Sequence, residues 1–107
     1  KIFIKYEDLV LDPLQTFSKV VKYLNKLYGL PIDDEKIRFS IENVKFTKLK
    51  FLEAEKGFHE NPNKMKDKPF FREGKINQWK KLLPNDLVKR IETEFQKEMI
   101  ENNYLNI

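Results

Sequence analysis

A mostly helical segment with one N-terminal strand, part of a larger α/β protein, is what the sequence predicts. Three features say so: an alternating apolar stretch at the start, a long helix with its own start and stop residues, and a second apolar stripe of helical period near the end. A length of 107 residues suits one domain or a piece of one. Hydrophobic content of 40% beside 36% charged residues is enough to build a core and too much for a disordered tail.

Lys1 to Lys5 alternate as a strand does, with Ile2 and Ile4 on one side and Phe3 on the other; with Phe3 apolar too, both faces are expected to be buried. Asp12-Pro13 opens a helix, the carboxylate capping free amides while Pro takes a position that needs no donor. Leu14, Phe17, Val20, Val21, Leu24 and Leu27 then recur at helical spacing up to Gly29, a residue suited to a left-handed exit. Asp33 caps a shorter helix carrying Ile37 and Ile41, and Thr47 a third with Leu49 and Leu52 over a polar face of Glu53 and Glu55.

From Gly57 to Pro69 the pattern dissolves into a loop rich in Gly, Asn, Pro and Lys; loops of about 12 residues without internal structure are commonly binding loops, lids or connections. A short helical turn is expected around Asn77–Leu82, then a last helix from Pro84 to Asn102 with Leu87, Val88, Ile91, Phe95 and Met99 as its apolar stripe. A lone strand cannot satisfy its own backbone, so its partners are expected outside this sequence. Because the chain begins at Lys1, in the middle of that strand, it is expected to be an excised piece.

The net charge is +4, but seven cations from Lys64 to Lys81 face only Asp67 and Glu73, so this stretch alone carries +5. With Phe70, Phe71 and Trp79 among them it is a candidate site for a phosphate- or sulfate-bearing ligand, although a solvated lysine-rich loop has the same composition. The absence of Cys excludes disulfides and thiolate metal sites, and the single His59 has no second imidazole to share a metal. His59-Glu60 lacks a His four positions on, and Glu7-Asp8 are expected in a turn or cap rather than in acid/base work. No apolar run approaches the roughly 18 residues of a membrane span. The segment reads as soluble, and the lack of Cys leans toward a cytoplasmic setting.

Two segments together resemble the sulfotransferases that use 3′-phosphoadenosine 5′-phosphosulfate (PAPS). Ile4-Lys5-Tyr6-Glu7-Asp8-Leu9 followed by Asp12-Pro13 is similar to that family's strand ending in (R/Y)YEDL and the helix after it. Phe70-Phe71-Arg72-Glu73-Gly74-Lys75-Ile76-Asn77-Gln78-Trp79-Lys80 is similar to its F-x-R-K-G-x-x-G-D-W-K loop, and Val44-Lys45-Phe46 falls where the family has T-S-F. The resemblance covers essentially the whole chain, residues 1–107. It implies the C-terminal part of a single P-loop-like three-layer α/β sulfotransferase domain.

The implied activity is transfer of a sulfuryl group from PAPS to an acceptor hydroxyl or amine, releasing 3′-phosphoadenosine 5′-phosphate (PAP), with no metal. Arg72, Glu73 and Gly74 are implied to clasp the 3′-phosphate, Tyr6, Phe46 and Phe71 to lie near the nucleotide, and Trp79 to anchor the loop. An Arg fork suits phosphate oxygens, and Gly lets backbone amides approach closely. Three departures stand out: Glu73 in place of Lys, Asn77-Gln78 in place of Gly-Asp, and Lys45 in place of Ser. The family's 5′-phosphosulfate loop and catalytic base are implied to precede this segment, so no catalytic residue is assigned and the segment alone is expected to be inactive. The implied partners are the nucleotide, an acceptor and the remainder of the domain, with no nucleic acid. The rivals are a non-enzymatic basic module binding nucleic acid or another polyanion, and a domain whose strand adds to a partner's sheet.

Overall fold

The structure, a computed structural model, describes residues 1–62 and 67–106. Residues 63–66 of the expected loop, including Lys64 and Lys66 of the basic stretch, lie outside the described residues. The helices are α1 (Tyr6–Leu11), α2 (Pro13–Tyr28), α3 (Asp34–Asn43), α4 (Phe46–Lys56), α5 (Trp79–Leu82), α6 (Asn85–Glu94) and α7 (Gln96–Glu101). They divide between two compact units, Lys1–Ile76 and Asn77–Ile107.

No strand occurs among the described residues, which overturns both the expected strand at residues 1–5 and the α/β class built on it. Lys5 is extended, with φ −86° and ψ 143°, but its carbonyl accepts from Leu9 N at 3.3 Å and so feeds the first turn of α1. The Lys1 amino group donates to the Tyr23 hydroxyl at 2.6 Å. Alternating apolar residues report an extended backbone; they do not by themselves supply the neighbouring strand that a ladder requires. Phe3, expected to be covered, is 76% exposed. Glu7 and Asp8 lie in the first turn of α1, where carboxylates favour the helix dipole.

In the first unit α1 packs on α2 and α2 on α3. Asp12 caps α2 as expected, its carboxylate accepting from Gln15 N at 3.0 Å, and Gly29 closes the helix at φ 66°. The turn between α1 and α2 is tied by one carbonyl: Asp8 O accepts from Asp12 N at 2.9 Å and from the buried Thr16 hydroxyl at 3.0 Å. Asp33 caps α3 by accepting from Glu35 N and Lys36 N at 3.0 and 3.2 Å, and α3 carries the buried Ile37. Helix α4 starts one residue before Thr47, with Lys45 as its cap position and no side-chain capping bond, so the expected Thr47 cap is corrected.

In the second unit the single helix expected from Pro84 to Asn102 is two helices. Phe95 leaves helical geometry at φ −111°, ψ 25°, and α7 restarts after it. Asn103 at φ 58° ends the last turn, where Tyr104 N donates to Met99 O at 2.7 Å.

Candidate functional site

A hollow of about 540 Å³ opens in the first unit beside the start of α1, the end of α3 and the start of α4. Leu9, Phe17, Ile41 and Leu49 make much of its wall, while Tyr6, Ser40 and Lys45 bring polar atoms to it. An apolar concavity of a few hundred Å³ with few polar groups is the usual make-up of a small-molecule site. The elements that frame it are fixed locally. The doubly occupied Asp8 carbonyl ties α1 to α2, and the Asp33 cap starts α3.

Gly74 also lines this hollow. Its φ of +62° is left-handed, and a Cβ there would stand 2.5 Å from the Phe46 ring, so backbone and ring meet where no other residue type fits. Phe71 sets its ring against Phe46 edge to face, 6.2 Å between centroids. Phe58 extends the aromatic group, 4.8 Å from Phe70 and 5.1 Å from Phe71.

The structure therefore brings Tyr6, Phe46 and Gly74 to one hollow and places Phe71 directly behind Phe46. Arg72 and Glu73 are outside its lining. Arg72 is exposed and donates from Nε to the Pro69 carbonyl at 3.2 Å, a bond that folds its side chain back on its own loop. Glu73 pairs with Lys75 at 3.4 Å, both exposed, so the negative charge sits against one of the loop's own cations. Trp79 opens α5 in the second unit, 42% exposed, with Lys80 Nζ 5.6 Å from its ring centroid. His59 and Glu60 are exposed and 3.9 Å apart. No group of three His, Asp or Glu able to hold a metal occurs among the described residues.

Sequence reasoning missed the two residues that hold the loop. The Glu53 carboxylate accepts from Phe70 N at 2.6 Å and Phe71 N at 2.9 Å, and Lys50 Nζ donates to Arg72 O at 2.8 Å. A signal was present: a loop after Pro69 has backbone donors that neither helix nor strand satisfies, and some acceptor must meet them.

Comparison with known proteins bears on this arrangement. The family model described as sulfotransferase domain matches residues 2–103. Cytosolic sulfotransferase 17 of Arabidopsis thaliana is 29% identical over 97 residues, covering 85% of this chain and 28% of that protein. Flavonol 3-sulfotransferase of Flaveria bidentis is 29% identical over 96 residues, covering 85% of this chain and 30% of that protein. The chain thus spans under a third of the length of these curated relatives. No solved structure matches it significantly. No helix among the described residues is long and apolar enough to cross a membrane.

Proposed function

Because this chain belongs to the sulfotransferase domain family, we propose that it supplies the nucleotide-holding part of an enzyme that moves a sulfuryl group from PAPS to an acceptor hydroxyl or amine and releases PAP. The observation that carries this reading is the meeting of Gly74 with Phe46 at the rim of the hollow that Tyr6 also lines. The hollow, about 540 Å³ and largely apolar, suits a purine, with the aromatic rings of Tyr6 and Phe46 in its wall and the Tyr6 hydroxyl as a polar contact. The 70–75 loop then lies over the ribose side, where Arg72, once turned from Pro69 O, offers a planar fork to the 3′-phosphate.

In the reaction the acceptor oxygen or nitrogen bonds to sulfur as the bond from sulfur to the phosphate oxygen breaks, and PAP leaves with that electron pair. The acceptor's proton goes to a base outside this chain. The part played by these residues is to bind and orient the nucleotide, which is where much of the rate of a displacement comes from. Residues 1–107 are read as the C-terminal part of one sulfotransferase domain, inactive when alone. The coverage of its relatives supports this, as do apolar side chains such as Leu11, Tyr28 and Phe39, each more than 70% exposed and suited to burial by the remainder of the domain. A cytoplasmic setting is part of the reading, supported by relatives named as cytosolic.

The test is thermal protection of the complete protein. PAP is expected to raise its melting temperature, and Arg72→Ala to weaken PAP by about tenfold through loss of a charge-assisted contact. Equal protection by any polyphosphate, fading smoothly with salt, would establish the polyanion-binding module instead.

A further inference from the structure

Three contacts between α4 and the loop that follows share one order. Glu53 meets Phe70 and Phe71, Lys50 meets Arg72, and Phe46 meets Gly74. Positions 46, 50 and 53 lie on one face of α4, because a helix repeats at three to four residues, and they span about 10 Å of its axis. Residues 70 to 74, bent at Phe70 and Phe71, can reach at most about 13 Å, enough to follow that length. The loop therefore runs back along α4 antiparallel to it, in a register fixed at three points.

We propose that Glu53 is a positioning residue for nucleotide binding: its carboxylate sets the loop register that carries Arg72 to the nucleotide's 3′-phosphate. This deepens the reading above and rests on it. Two consecutive amides converge on the two oxygens of one half-buried carboxylate, one on each, and only a carboxylate has two acceptors so placed. An amide side chain would keep one acceptor and turn an N–H group toward the other backbone donor. Lys50 secures the next residue through a carbonyl, and the Phe58, Phe70 and Phe71 rings pack on one another along the same stretch. Glu53 does not itself line the Tyr6 hollow, and its carboxylate is engaged by the loop amides, so the loop is the route by which it acts on the nucleotide.

The experiment uses the complete protein with Glu53→Gln and Lys50→Met, titrated with PAP and with adenosine 5′-monophosphate, which lacks the 3′-phosphate. Amide hydrogen exchange at Phe70 and Phe71 is followed without ligand. Glu53→Gln is expected to weaken PAP by about tenfold and adenosine 5′-monophosphate by less than about twofold, and to speed exchange at both amides. Unchanged PAP affinity, or an equal loss for both nucleotides, would overturn the positioning role. If Glu53→Gln fails to fold, Lys50→Met decides by the same comparison, because it loosens the same loop one turn away. The two readings fail differently. An unsubstituted protein that binds no PAP overturns the nucleotide reading, whereas normal PAP binding with unaltered exchange in Glu53→Gln overturns only the role of Glu53.

Discussion

At Gly74 the tolerance for change is smallest. An added methyl group would meet the Phe46 ring at 2.5 Å, and the backbone already holds φ +62°. Gly74→Ala is expected to weaken PAP by at least about tenfold, the left-handed backbone alone costing about 1–2 kcal/mol. In a Phe46→Ala background the same substitution should cost less, because the collision is gone and only the backbone penalty is left. PAP titration of the four proteins in a double-mutant cycle checks this, and additive losses would show that ring and glycine act independently. Glu73 is a milder departure. Its charge is turned toward Lys75 and exposed, and pairs of that kind are worth little in water.

Among the elements, α3 depends most visibly on a single side chain. Asp33 accepts from two backbone amides at its start, and the helix carries the buried Ile37 together with Ser40 and Ile41 of the hollow. Asp33→Ala is expected to destabilise the complete protein by about 1 kcal/mol, and Asp33→Asn by much less, read as melting temperatures. Such caps were legible in the sequence because they act within three residues. The Asp12-Pro13 start and the Gly29 exit of α2 stand where their chemistry placed them. What was not legible depends on distant groups. The alternation of residues 1–5 carried no information on whether a neighbouring strand exists, and nothing local marks the break at Phe95 or the start of α4 at Phe46. Of the residues that motif resemblance singled out, Tyr6, Phe46 and Gly74 line one hollow, while Phe71, Arg72 and Glu73 do not. Glu53 is legible only as part of a polar helix face and Lys50 carries no mark at all, because their partners lie 17 to 22 residues further on.

For the molecule as a whole, the balance between buried and exposed apolar surface governs behaviour. Ile37 is the one large apolar side chain that is buried among the described residues, while Phe3, Leu11 and Leu82 are each more than 70% exposed. Residues 1–107 expressed alone are expected to show helical circular dichroism, to bind a hydrophobic dye strongly, and to melt over a broad range. A sharp cooperative transition with no dye binding would show that the chain finds a core of its own. The fastening of the 70–74 loop has a separate consequence. Glu53 and Lys50 grip main-chain atoms, which every residue type carries, so the path of the strap and the chemistry displayed along it can vary independently. Side chains at 72 and 73 can be exchanged to retune which anions are welcomed without refolding their support, and a loop of this build is a natural place to re-engineer ligand preference.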